Sequence, residues 1–468
     1  MPRILIHFSR FGPYHQARLR SAAEALHPLG WEVIGLETAG TDATYAWDER
    51  SGISPGPKVV TAFPGREYEA IRSAETKRVL FPLLGEWKPD AMVIAGWSGP
   101  DARACLSWCR RNGIPASVMS ETREADGRRV WWKERIKRWI ISHFHGALVG
   151  GKSHRDYLLK LGMPPDVIAF GYNVVDNAYF AAEAANWRDQ RSAASGQDAG
   201  EQDIDPNNQE QGTKNQEGGT SPYFLASNRF IERKNLSRLI QAYATYTQTP
   251  VLRPSSLDIR LSISPQPSPP WNLCLLGDGE LKPALIAQCH ALGMNVIECA
   301  PWETHQEQGT KNQEQGTKNQ ELGTVFFPGF RQIEELPRFY AHAGCFVHPA
   351  LEEPWGLVIN EAMACGLPVL SSRNVGAAEE LVDDGVNGWR FDAEDVEGIS
   401  QIMLKISAFD FPLAAFSTAS RRILEERAPL SAFGEGLASL LDGEHTRPPR
   451  VAECAPALRP VNLPVVHG

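Results

Sequence analysis

The sequence predicts an α/β protein made of two doubly wound, Rossmann-like domains with parallel sheets. Three observations carry this. Short apolar runs alternate with helical patterns, the signature of strand–helix–strand units and hence of parallel sheets. The chain has 468 residues, enough for two domains with extra segments. A polar stretch over residues 181–221 separates one alternating series from a second.

In the first series, Arg3-Ile4-Leu5-Ile6-His7-Phe8 reads as a buried strand. A loop from Ser9 to Tyr14, a helix from His15 to His27 and a strand from Trp31 to Leu36 follow. Loops after parallel strands lie at the carboxyl edge, where ligands bind. Gly12 is therefore a point where a phosphate or an acceptor can approach the backbone, or else a plain turn residue. Ala91 to Ala95, Ala116 to Met119, Ala147 to Gly150 and Val167 to Phe170 read as further strands, and Pro100 to Asn112 and Ser153 to Leu161 as helices. Gly162 then suits the residue just past a helix end. Glu121 follows the strand that ends at Ser120. It can bind an acceptor hydroxyl, partner a basic group, or merely cap the next element.

Residues 128–144 form a basic amphipathic pattern. Trp132, Ile136, Trp139 and Ile140 fall on one helical stripe, among Arg128, Arg129, Lys133, Arg135, Lys137 and Arg138. The stripe is expected to pack on its own domain. Peripheral contact with an anionic membrane surface is the other reading.

The first domain is placed at 1–177 and a linker at 178–221. The linker carries Glu-Gln-Gly-Thr-Lys-Asn-Gln at 210–216, which recurs at 307–313 and 314–320. The repeat has no apolar seam and contains a glycine, so it makes neither a coiled coil nor a core. Segments 250–270 and 304–324 read as loop insertions in a second domain spanning 222–429, and 444–468 as a loose proline-rich tail. The second domain starts with a strand from Tyr223 to Ser227. Trp271 to Leu276 leads into Gly277-Asp278-Gly279-Glu280, a helix is expected over Leu336 to His342, and strands over Cys345 to His348 and Val369 to Ser371.

The most informative stretch runs from His348 to Asp384 and contains Glu353-Pro354-Trp355-Gly356-Leu357 and Glu361. Proline suits the first helical position, so Glu353 is expected at a helix mouth and Glu361 two turns in, about 12 Å further along the axis. That spacing suits two carboxylates holding different hydroxyls of one extended ligand, not a pair flanking one bond at about 5–9.5 Å. The helix start offers N–H groups at Gly356 and Leu357, and such a start attracts phosphate. Phosphate with hydroxyls on both sides describes a nucleotide-sugar. A capped helix with two solvated glutamates is the bland alternative.

Glu353-Pro-Trp-Gly-Leu-Val-Ile-x-Glu361-Ala-Met-Ala-Cys-Gly-Leu-Pro-Val resembles the signature of the retaining GT-B glycosyltransferases of the E-x7-E group. The likeness runs from about Tyr223 to Asp442 and, more weakly, over 1–177. It implies two Rossmann-like domains facing a cleft, with Glu353 touching the transferred sugar and Glu361 the ribose. Asn228-Arg229-x-x-x-x-Lys234-Asn235 resembles the family's Gly-Arg-x-x-x-x-Lys-Gly, which implies that Arg229 and Lys234 hold the diphosphate. Asparagines stand where glycines are usual. The resemblance also implies that Arg331 and Leu336 flank the base, and that a helix over 430–443 crosses back to the first domain. The histidine that many members carry near the transferred sugar has no counterpart; Ser120 and Glu121 occupy roughly that region.

The implied activity is retaining, metal-independent transfer of a sugar from a nucleoside diphosphate to a saccharide, lipid-linked or small-molecule acceptor, with no cofactor beyond that co-substrate. Cell-surface polysaccharide or glycolipid synthesis is the family's commonest use. A nucleotide-sugar epimerase of the same fold and a non-catalytic sugar-nucleotide-binding relative are the other readings. A net charge of -9 with 22% charged residues gives no sign of a nucleic-acid binder. No apolar run is long enough to span a bilayer. The chain opens directly on a strand without a signal peptide, and its eight cysteines show no zinc-type spacing. A cytoplasmic protein is expected, either free or peripheral at the inner face of the membrane.

Overall fold

The structure, a computed structural model, describes residues 1–41, 56–197, 222–249, 270–303 and 322–442. The three repeat copies, nearly all of both proposed insertions and the tail lie outside the described residues.

The first sheet comprises β1 (Arg3–Phe8), β2 (Glu32–Thr41), β3 (Val59–Glu67), β4 (Ala91–Ala95), β5 (Ala116–Ser120), β6 (Gly146–Val149) and β7 (Ile168–Phe170). All are parallel, in the order β3-β2-β1-β4-β5-β6-β7. The second comprises β8 (Tyr223–Ser227), β9 (Asn272–Leu276), β10 (Met294–Ile297), β11 (Leu322–Gly329), β12 (Cys345–His348), β13 (Val369–Ser372) and β14 (Gly388–Phe391). It is also parallel, in the order β10-β11-β9-β8-β12-β13-β14. Strands such as β6, β12 and β13 are buried throughout, as sheets covered by helices on both faces require. The winding direction reverses at β1/β4 and at β8/β12. These are the switch points where such sheets leave a crevice at their carboxyl ends.

The two halves share a core. One apolar cluster runs from Phe8 and Phe11 through the crossover residues Tyr172, Val174 and Phe180 to Tyr340, Trp355 and Ile359. The helix Ser431–Leu441 returns to the first domain and packs on the helix Pro13–Leu26. There Ser21 Oγ donates to Leu430 O at 2.7 Å and accepts from Gly434 N at 3.1 Å.

Three local expectations change. Part of the supposed linker is a helix, Asn177–Gln197, anchored on the second domain where Arg188 Nη2 donates to Cys365 O at 2.6 Å. Residues 322–324, assigned to an insertion, already belong to β11. The basic segment forms the helix Trp131–Ile141, but of its apolar stripe only Ile140 packs on its own domain. Trp131, Trp132, Ile136 and Trp139 are 75%, 48%, 50% and 59% exposed, and the helix is anchored by Ile141 instead. Among the described residues, no helix is long and apolar enough to cross a membrane.

Candidate functional site

A cavity of about 830 Å³ opens between the carboxyl edges of the two sheets, within the range of small-molecule sites. Loops after β1 and β5 supply one wall, and loops after β8, β9, β11 and β12 the other. The residues singled out from the sequence all line it: Gly12, Glu121, Arg229, Lys234, Arg331, Leu336, Glu353, Gly356, Leu357 and Glu361.

The glutamate-bearing helix starts later than its sequence suggests. It spans Leu357–Ala364, with Gly356 as N-cap at φ 98°, a left-handed conformation suited to glycine. The backbone of Glu353 forms a parallel bridge with Val375, and Gly376 N donates to Glu353 O at 3.1 Å. This pairing keeps Glu353 extended, so Pro354 does not open the helix and the turn is made at Gly356. Glu353 precedes the helix instead of sitting at its mouth, and the 12 Å spacing of one continuous helix does not apply. Gly356 and Leu357 remain at the helix start, where N–H groups lack intrahelical acceptors.

Lys234 ends a short 3-10 turn, Glu232–Lys234, and Asn235 follows at φ 59°. Asparagine tolerates this region, and its side-chain amide donates to Pro349 O at 3.0 Å and Ala393 O at 2.7 Å. These bonds explain an asparagine where the resemblance expects glycine. They also tie the Lys234 turn to the loop after β12, which carries Glu353. Lys234 Nζ donates to Glu353 Oε2, with side chains 11% and 13% exposed. Burial pushes the Glu353 carboxyl up, but the charge of Lys234 and its hydrogen bond outweigh it, so it titrates below the usual range. Burial draws the Lys234 ammonium below its ordinary value against the pull of Glu353. His348 Nε2 lies 3.9 Å from Glu353 Oε2; burial and Lys234 push its value down to about 3, which leaves it neutral.

Glu361 is buried and accepts from Tyr340 Oη at 2.7 Å and Tyr14 Oη at 2.9 Å. Burial pushes its carboxyl up to about 7 against the pull of the two hydroxyls. Tyr14 comes from the first domain, so this bond spans the cleft. Arg331 is engaged by Glu335 at 3.0 Å and lies 3.9 Å from Glu303, while Leu336 is buried. Asn228 presents to the cavity an amide with no bonded partner among the described residues. Its carbonyl fits because Gly277 lacks a side chain, as a Cβ there would lie 1.9 Å from Asn228 O. On the other wall, Glu121 is half-buried. Burial pushes its carboxyl up and Arg18 opposes this.

Sequence reasoning passed over Tyr14, Arg18, Asn228 and Tyr340. Arg18 and Tyr340 carry no local signal, since each reads as an ordinary helix residue. Asn228 had one in its unusual position before Arg229, and Tyr14 had one in following Gly12-Pro13.

Residues 207–408 match the family model described as Glycosyl transferases group 1. This part of the chain belongs to that family. The chain also resembles curated relatives over shorter stretches. Identity is 39% over 88 residues to sucrose-phosphate synthase 4 of Arabidopsis thaliana, covering 18% of this chain and 8% of that protein. It is 42% over 81 residues to O-antigen chain mannosyltransferase B of Escherichia coli, covering 17% and 20%. The chain therefore spans only a small part of the curated relatives it matches. HepE of Anabaena, solved in complex with UDP and glucose, superposes with a TM-score of 0.58 at 16% identity, over 94% of this chain and 99% of that one. Its likeness establishes the GT-B arrangement of the group 1 segment and its partner domain.

Proposed function

We propose that the protein transfers a sugar from a nucleoside diphosphate to an acceptor hydroxyl with retention of configuration, in polysaccharide or glycolipid synthesis. One observation carries this reading: Arg229, Lys234, the helix start at Gly356, Glu353 and Glu361 converge on one cavity between the domains. Two cations and the helix start balance a diphosphate without a metal ion. They stabilise the charge that develops as the bond from C1 to the phosphate oxygen breaks. Glu361 holds the ribose and Glu353 the transferred sugar, while Arg331 and Leu336 border the base. The acceptor oxygen bonds to C1 on the face the phosphate leaves, and its proton passes to that phosphate oxygen. Glu353 is already engaged by Lys234, which argues against its use as a nucleophile. The test is nucleoside diphosphate release from UDP-, GDP- and ADP-sugars by wild type and Glu353→Gln, with and without chelator. Acceptor-dependent release that survives chelation and falls in the variant supports the reading. A trapped sugar–enzyme adduct would refute the single-step path, and donor binding without release would point to a non-catalytic relative.

We also infer that the helix Trp131–Ile141 rests on an anionic lipid surface, as peripheral contact at a membrane requires. Its exposed tryptophans lie among Arg128, Lys133 and Arg135, which are exposed, in a chain of net charge -9. Apolar side chains flanked by cations suit an acidic headgroup layer. Wild type should sediment with phosphatidylglycerol vesicles and not with phosphatidylcholine vesicles, and Trp132→Ser/Trp139→Ser should stay in solution. Wild type remaining in solution with both would overturn this.

A further inference from the structure

The first-domain wall holds a charged group to which the proposed donor site assigns no role. Arg18 lies on the helix Pro13–Leu26, is 1% exposed, and lines the cavity. Its Nε donates to Val174 O at 3.1 Å and its guanidinium lies 5.0 Å from the Tyr172 ring centroid. These contacts fix the plane of the group. Its Nη2 is buried and has no hydrogen-bond partner among the described residues.

A buried guanidinium without a bonded anion is costly, so the missing partner has chemical meaning. The obvious candidate is Glu121, which lines the same wall. It is close enough for its charge to act on Arg18, yet Arg18 Nη2 has no bond to it or to any other group among the described residues. The like charge of Glu353 also acts on Glu121, and both carboxylates line the same cavity. Arg10 lines the wall as a second cation, its Nε held on Gly40 O at 3.1 Å. His15 is neutral: burial, then Arg18 and Arg10, push its value down to about 3. This wall therefore carries two cations, Arg10 and Arg18, and one carboxylate, Glu121.

We propose that this wall is the acceptor subsite and that it selects an anionic acceptor, a hydroxylated molecule whose phosphate or carboxylate sits on Arg18 Nη2 while a hydroxyl donates to Glu121. A planar guanidinium suits either anion. The hydroxyl on Glu121 is then held on the side of the cavity facing Glu353. This rests on the transfer reading for its meaning, but the subsite can be tested without turnover.

The experiment titrates glucose 6-phosphate, glucuronate, inorganic phosphate and glucose by calorimetry into full-length protein saturated with the nucleoside diphosphate that binds best. Saturation keeps the probes off Arg229 and Lys234. Expected is binding of at least one anionic probe, at least tenfold tighter than glucose, lost in Arg18→Met and partly restored in Arg18→Lys. The nucleotide affinity should stay within about twofold in both variants, which also reports that they are folded. Glucose 6-phosphate against glucuronate separates a phosphate from a carboxylate preference. In turnover assays the Arg18→Met defect should appear in KM for the anionic acceptor more than in kcat. No binding by any anionic probe, or binding that Arg18→Met leaves intact, overturns the proposal. Probe binding of the expected kind without product release would retain the subsite and reject the transfer reading.

Discussion

The two walls of the cleft treat charge in opposite ways. On the second-domain wall, Lys234 is paired with Glu353 and Glu361 is satisfied by Tyr340 and Tyr14. On the first-domain wall, Arg18 Nη2 is buried without a partner among the described residues, although Glu121 is near enough to feel its charge. The paired wall is organised before any ligand arrives. A diphosphate or ribose entering there exchanges existing bonds for new ones, which favours fixed geometry where charge develops during reaction. The first-domain wall leaves a charged donor of Arg18 open, and that suits a partner which must be chosen and then released.

The largest expected effect tests the paired wall chemically. Glu353→Gln should lower kcat by about 10²–10³ while changing donor affinity little, as for loss of one group acting at the developing charge. Steady-state nucleoside diphosphate release measures it. A change confined to KM would show that Glu353 only binds.

Stability sharpens the contrast. Lys234→Met leaves the Glu353 carboxylate buried without its cation, a change that costs about 3–5 kcal/mol in buried pairs. Adding Glu353→Gln should recover part of that loss. Arg18→Met removes a charge with no carboxylate bonded to it and should cost less, about 1.5–3 kcal/mol, roughly the value of its charged bond to Val174 O. Urea unfolding of the three variants compares the walls directly. Equal losses for Lys234→Met and Arg18→Met would erase the distinction.

Titration of Glu361 comes next. Its folded value of about 7 lies above the ordinary 4.5, so protonated Glu361 stabilises the fold below about pH 4.5. That contribution is lost as pH rises through about 7. On the proposed reading ribose hydroxyls donate to the ionised carboxylate, so nucleotide affinity should move oppositely and rise between about pH 6 and about pH 8. Calorimetry across that range should show the rise in wild type and a flat profile in Glu361→Gln.

The smallest effect concerns the bond that links the walls. Tyr14→Phe removes one hydroxyl from Glu361 and one contact between domains. A single neutral-to-charged hydrogen bond contributes about 1.5–3 kcal/mol at most, and here ribose competes for the same oxygen. Nucleotide affinity should therefore rise by a few-fold as the competitor is removed. A fall would mean that Tyr14 helps to hold the nucleotide instead.

Much of the paired wall was legible because its parts lie close in sequence. Glu353, Gly356, Leu357 and Glu361 fall within one short segment, and Arg229 and Lys234 within another, so residue type and spacing expose the chemistry. The same local reasoning misplaced the helix start. Pro354 is a sound opening residue by propensity, but Val375, far along the chain, pairs with Glu353 and holds it extended. It also misjudged the stripe at Trp132, Ile136 and Trp139, since periodicity defines a face without saying what covers it.

The alternating α/β architecture and the residues of the second-domain wall follow from the order of amino acids, because strand burial and helix-start chemistry are written in neighbouring side chains. Packing was needed to bring Tyr14 to Glu361, to stand Arg18 beside Glu121 with an open valence, and to turn the tryptophans of Trp131–Ile141 outward. These contacts join residues of separate elements, and their distances follow from how two sheets and a returning helix pack.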